Sequence, residues 1–174
     1  AGLPAIGVEV KIVDEKDNEL PRGEVGEVAV RGPNIMLGYW QQPELSAEAL
    51  RNGWMHSGDG GFMDERGFIF IVDRMKDMVI SGGENIYSAE VEDALYQHAA
   101  IVECAVIGIP NDRWGEAVHA VVRLHENMKA SADEIIAHCH KLIAGFKCPR
   151  GVDFVTDPLP LSGAGKILKT ELRK

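Results

Sequence analysis

Cysteine is scarce in this 174-residue chain, and the three present are not paired in their spacing. Cys104, Cys139 and Cys148 make an odd count with no Cys-x-x-Cys, which argues against a disulfide framework or a zinc site and points to a reducing, cytoplasmic setting. No apolar run approaches the roughly 20 residues of a membrane span. The first residues lack the basic region and apolar core of a signal peptide. There is also no initiator methionine: the chain opens Ala1-Gly2-Leu3-Pro4, as an excised fragment or a processed chain does. Positive charge is short as well. A net charge of −9 disfavours nucleic acid as a partner, yet a few local cations can still hold the phosphates of a small molecule. The six histidines show no His-x-x-x-His spacing. His138 and His140 lie two apart on one helix and point to different faces, so no metal site is expected.

What is there reads as a packed soluble chain, with 45% hydrophobic and 26% charged residues. The length suits one domain or two small ones. Val8-Glu9-Val10-Lys11-Ile12-Val13 and Gly26-Glu27-Val28-Ala29-Val30-Arg31-Gly32 alternate apolar and charged residues as half-buried strands do. With the turn-rich residues 14–23 between them they predict a small antiparallel sheet or barrel piece. A short helix is expected after Pro43, and a hairpin over residues 61–72 with its turn at Asp64-Glu65-Arg66-Gly67. Ile101 to Ile109 is a strongly apolar strand, and Ala117 to Leu124 pairs back on it. Ser131-Ala132-Asp133-Glu134 is a capping box opening a helix with Ile135, Cys139, Leu142 and Ile143 on one face. Val152 to Val155 is a last short strand. The fold class predicted is α+β: a small β-rich, barrel-like segment, then a compact α+β domain with helices on a mostly antiparallel sheet.

The stretch around which the rest is organised is Asp73-Arg74-Met75-Lys76-Asp77-Met78-Val79-Ile80-Ser81-Gly82-Gly83-Glu84-Asn85-Ile86. Gly82 and Gly83 lack a Cβ, so the backbone can turn tightly and let another molecule pass close. A helix follows with Val91, Ala94 and Leu95 on one face. An ordinary hairpin and helix would account for these residues by themselves.

Read as a whole, the string resembles the hinge-and-hairpin signature of the adenylate-forming (AMP-binding) superfamily, which contains the acyl- and aryl-CoA synthetases, peptide-synthetase adenylation domains and luciferases. Residues 78–86 are most similar to the CoA-synthetase branch. Three further stretches are similar to family motifs, in family order. They are residues 26–32 leading to Gly38-Tyr39, Trp54-Met55-His56-Ser57-Gly58-Asp59, and Pro160-Leu161-Ser162-Gly163-Ala164-Gly165-Lys166. Ser57 stands where the family usually has threonine and keeps the hydroxyl. The last stretch is not a Walker-type phosphate loop, because Ile167 rather than Ser or Thr follows the lysine.

The residues themselves leave two readings at each position. Asp59 is either a turn aspartate after Gly58 or a two-oxygen acceptor for the adjacent hydroxyls of a ribose. Arg74 and Lys76 read as surface charges, Trp114 as a core cap or a purine stack, and Gly145-Phe146-Lys147-Cys148-Pro149-Arg150 as a basic loop or an aromatic-plus-cation site for an adenine with phosphates. The resemblance implies the functional reading in each case. Asp59 and Arg74 contact the nucleotide ribose, and Lys76 is the pivot of a rotating C-terminal domain. Lys166 is the catalytic lysine of adenylation. Ser81, Gly82, Gly83, Glu84 and Asn85, with Trp114, Phe146, Lys147 and Arg150, line the path and nucleotide site of CoA. The implied domains are residues 1–73, the β-rich end of a large N-terminal domain; 74–76, the hinge; and 77–174, the mobile C-terminal domain.

The implied activity is that of an acid–CoA ligase with ATP, Mg2+ and coenzyme A. A carboxylic acid of fatty, aromatic or short-chain type is activated to an acyl-adenylate and passed to CoA. The family's glycine-rich ATP loop and acyl pocket have no counterpart here, so the chain by itself is expected to be folded and inactive, its chemistry belonging to a longer parent. An adenylation domain serving a carrier protein and a non-catalytic interaction module on the same fold are the alternatives. Partners other than these small molecules are not implied, and an oligomer stays open.

Overall fold

The structure, a computed structural model, describes residues 2–173. The chain forms two compact units, Ala1–Lys76 and Asp77–Lys174. Among the described residues no helix is long and apolar enough to cross a membrane.

The first unit is an antiparallel meander of β1 (Glu9–Val13), β2 (Gly26–Arg31), β3 (Met55–Met63) and β4 (Ile69–Arg74), hydrogen-bonded in that order. Alternation sends Ile12 and Val28 to one face, where they are buried with Met63 and Ile69. Helix α1 (Pro43–Ala49) starts with proline in its first turn, where the missing N–H is no loss, and buries no side chain. The predicted turn at residues 64–67 forms as expected: the Asp64 carboxylate accepts the N–H groups of Arg66 and Phe68 at 2.9 and 2.8 Å.

The second unit is a five-stranded sheet: β5 (Val79–Ser81), β6 (Glu84–Ile86), β7 (Ile101–Asn111), β8 (Gly115–Leu124) and β9 (Gly151–Val155). The order is β6-β5-β8-β7, with β9 added to β8. All pairings are antiparallel except β8 with β9, which is parallel in the register His119↔Gly151 to Arg123↔Val155. Helix α2 (Ser88–Tyr96) and helix α3 (Ala132–Cys139) bury Val91, Leu95, Ile135 and Cys139 in one core with Cys104, Val106, Val118 and Val122. Sinking Leu95 completely stabilises the unit by about 1.5–3 kcal/mol.

A second core joins Ala105, Ile107 and Val121 to Leu159, with Ile167 and Leu172 packed on it. Leu172 belongs to the terminal helix α4 (Lys169–Leu172). Strand β7 is therefore apolar on successive residues because both of its faces are covered. Its outer edge is covered too. The Tyr96 hydroxyl bonds the N–H and C=O of Cys104, and the Glu92 carboxylate accepts the Val106 N–H at 2.8 Å.

The capping box is present in both directions: the Glu134 N–H donates to Ser131 Oγ and the Ser131 N–H to Glu134 Oε2. The helix it opens is shorter than its apolar pattern predicts. It ends at Cys139, where the chain turns and the N–H groups of Leu142 and Ile143 both return to the Cys139 carbonyl. Leu142 is consequently 44% exposed, while Ile143 still packs on the core. The three cysteines are free and buried, and burial pushes the Cys104 thiol up to about 12 and Cys139 up to about 11.

Candidate functional site

Asp59 and Arg74 are cross-strand neighbours. They face each other in the β3–β4 ladder, and Arg74 Nε lies 3.0 Å from Asp59 Oδ1. Both side chains are partly exposed, at 29% and 47%. The pair thus presents carboxylate oxygens and guanidinium N–H groups together, the acceptor and donor set that two adjacent hydroxyls need. Asp59 is not in an open turn, as its position after Gly58 suggests, but in a bulged strand. Between the pairs Glu27↔Gly60 and Ala29↔His56, β2 contributes Val28 alone while β3 contributes Ser57, Gly58 and Asp59. Gly58 takes φ +70° there, where a side chain is disfavoured.

A bulge leaves ladder N–H groups without strand partners, and side chains supply them here. Glu27 Oε1 accepts the Gly58 N–H at 3.0 Å, and Ser57 Oγ accepts the Asp59 N–H at 3.1 Å. The second Glu27 oxygen meets His56 Nδ1 at 2.8 Å and Arg51 Nη2 at 3.0 Å. Arg51 and Asn52 also bond Asp17. Burial works to raise the Glu27 pKa, but hydrogen bonds from His56, the Gly58 N–H and Arg51 outweigh it and hold the carboxyl below its ordinary range. This network was not predicted. Its one local signal is a carboxylate placed straight after Gly26 on an otherwise apolar-alternating strand.

In the second unit Gly82 and Gly83 form the two-residue turn between β5 and β6, closing the pair Ser81↔Glu84. Their φ values of +63° and +85° are those of a type I′ hairpin, which needs positive φ at both positions. The two glycines differ in surroundings. A Cβ on Gly82 would come within 2.8 Å of the Trp114 ring, whereas one on Gly83 would meet nothing within 4 Å. The Gly82 N–H donates to the Trp114 carbonyl at 2.8 Å. Gly82, Gly83, Glu84 and Asn85 are exposed, and Ser81 is buried.

Trp114 and Arg150 come together with this turn. The guanidinium groups of Arg113 and Arg150 lie 4.5 and 5.1 Å from the indole centroid, within cation–π range. Phe146 is 46% exposed and has the Lys147 amine 5.7 Å from its ring. That amine is also 2.7 Å from both Glu90 oxygens, so Lys147 is tied to α2.

Lys166 is exposed at the end of a small hairpin. Leu161 bridges Ile167, the Ser162 N–H donates to the Lys166 carbonyl at 2.7 Å, and the Lys166 N–H donates back to Ser162 Oγ at 3.1 Å. The glycine-rich approach is thus a hydrogen-bonded turn. Three residues on, Lys169 behaves differently. Its amine is 2.7 Å from Glu92 Oε1 and 2.6 Å from Ser88 Oγ, anchoring the tail to α2. Lys76 is the last residue of the first unit, in the single helical turn Met75–Asp77.

The chain resembles known proteins from end to end. It is 49% identical over 174 residues to a feruloyl-CoA synthase of Amycolatopsis sp, covering all of this chain and 35% of that protein. A long-chain-fatty-acid–CoA ligase of Escherichia coli is 45% identical over 172 residues, 99% of this chain and 30% of that protein. The chain thus spans about a third of the length of these relatives. The solved structure of o-succinylbenzoate CoA synthetase from Bacillus subtilis, in complex with its acyl-adenylate intermediate, superposes with a TM-score of 0.90 at 36% identity over 98% of this chain and 34% of that one. Residues 1–40 match the family model of the AMP-binding enzyme, and residues 90–166 match that of the AMP-binding enzyme C-terminal domain. The chain therefore belongs to the AMP-binding, adenylate-forming enzyme family.

Proposed function

We propose that this chain is the C-terminal portion of an ATP-dependent acid–CoA ligase. In the first step a carboxylate oxygen attacks the α-phosphorus of ATP, which enters as its magnesium complex. The bond to the β-phosphate breaks, giving acyl-adenylate and pyrophosphate. In the second step the CoA sulfur attacks the acyl carbon, AMP leaves and the thiol proton is lost.

The first step brings two anions together, so a cation placed where charge gathers lowers the barrier. Lys166 has a compact charge on a long stem and an exposed position, and it takes that role. Asp59 and Arg74 hold the ribose in both steps. The second step needs a narrow path for the pantetheine arm, and the side-chain-free face at Gly83 provides it, with Trp114, Phe146, Lys147 and Arg150 serving the nucleotide end of CoA. Rotation about Lys76 presents the Lys166 hairpin and the glycine turn in succession.

The observation that carries this reading is the Asp59–Arg74 pair, two groups matched to a vicinal diol and held 3.0 Å apart by a bulged strand. Assaying the full-length protein against fatty, aromatic and short-chain acids tests it. At least one acid should release pyrophosphate from ATP, and AMP release with that acid should then depend on CoA. Pyrophosphate release with none of them would overturn the reading.

A further inference from the structure

We propose that Glu27 is a positioning residue, one that presets Asp59 for the nucleotide by fixing the β3 bulge. This rests on the reading of Asp59 and Arg74 as the ribose-holding pair. On the β2 side the bulge has no ladder of its own, because three residues stand opposite Val28. The Gly58 N–H, next to Asp59, is held only where a side chain reaches it, and Glu27 Oε1 does so at 3.0 Å.

The carboxylate is itself held in place. Arg51 Nη2 and His56 Nδ1 fix its other oxygen at 3.0 and 2.8 Å, and Arg51 is shared with Asp17. Glu27 is on the strand adjacent to the bulge and its side chain is only 16% exposed, so it acts as a rigid support rather than as a ligand. In this role it does not act on a reacting atom itself. Its effect travels through one backbone amide to the aspartate beside it.

The test uses the full-length protein and pyrophosphate exchange with ATP and with 2′-deoxy-ATP. The variants are Glu27→Gln, Asp59→Asn and, as a surface control on the same sheet, Glu9→Gln, whose partner is the exposed Arg31. Glu27→Gln should raise KM for ATP about tenfold, the scale of one lost charge-assisted hydrogen bond, while KM for the acid stays within about twofold. It should also narrow the preference for ATP over 2′-deoxy-ATP, as Asp59→Asn does, and Glu9→Gln should leave both unchanged. Simple destabilisation lowers the amount of active enzyme equally for both nucleotides and cannot move their ratio.

Glu27→Asp, which keeps the charge but shortens the reach to Gly58, should shift the ratio in the same direction and serves if the glutamine variant does not fold. An unchanged ratio in the folded Glu27 variants, with a changed one in Asp59→Asn, would overturn the positioning role. An unchanged ratio in Asp59→Asn would overturn the ribose reading and the proposal with it.

Discussion

Replacing Lys166 by alanine in the full-length protein should cut acyl-adenylate formation by about 10²–10³-fold, the usual cost of removing one preorganised charge from a transition state. Transfer from supplied acyl-adenylate to CoA should stay near the wild-type rate. The structure makes this a clean experiment. The side chain is exposed, and the hydrogen bonds that close the 161–167 hairpin use the Lys166 backbone and the Ser162 side chain, not the Lys166 amine. Its loss should therefore change stability by no more than about 0.5 kcal/mol. Lys169 is the informative contrast. It is only 12% exposed and bonded to Glu92 and Ser88, so removing it loosens the tail as a whole and mixes folding with chemistry. The measurement is rapid-quench detection of each half-reaction separately. Equal loss in both would remove the division of labour assigned to Lys166.

The opposite pattern is expected at the glycine turn. Gly83→Leu should slow thioester formation by about 10²-fold, the scale on which small misplacements of a bound reactant act, and leave adenylate formation largely intact. Gly83 is the right position and Gly82 is not. A side chain on Gly82 collides with Trp114, whereas one on Gly83 extends into open space. Any L-residue at φ +85° costs about 1–2 kcal/mol in backbone strain, so Gly83→Ala is the necessary control. It carries the same strain with little bulk and should keep most of the transfer rate. If alanine and leucine are equally slow, strain rather than obstruction is the cause, and the corridor is refuted.

Much of this molecule could be read from local sequence, and the parts that could not share a physical reason. Period-two alternation located β1 and β2, and the Ser131–Glu134 box located the start of α3, because these signals lie within a few residues of one another. The glycine pair was readable for the same reason, since positive φ at two successive residues leaves few other choices. The end of α3 was not. The apolar residues Leu142 and Ile143 continue the helical spacing, but the chain turns at Cys139.

Pairing between distant residues left no local trace. Nothing in residues 151–155 indicates that they run parallel to β8, and nothing in Lys169 points to Ser88, 81 residues away. Glu27 is the instructive case at the candidate site. Asp59 is legible by motif, yet the carboxylate that accepts the neighbouring Gly58 N–H lies 31 residues before Gly58 and announces itself only through the bulge. The side chains proposed to touch ligand were legible by resemblance, while those that hold them depend on register, which a single strand does not encode.

If the second unit changes its placement between the two steps, as proposed, an inter-unit distance measures that directly. The three cysteines of this chain are at most 3% exposed, so once any cysteines elsewhere in the full-length protein are replaced, spin labels on Glu65→Cys and Glu126→Cys, both exposed positions, one in each unit, should attach selectively. Pulsed electron–electron resonance on the full-length protein should give one distance distribution with ATP and the acid, and a clearly different one with a non-hydrolysable acyl-adenylate analogue and CoA. A single unchanged distribution in both states, in labelled protein that still turns over, would contradict the account.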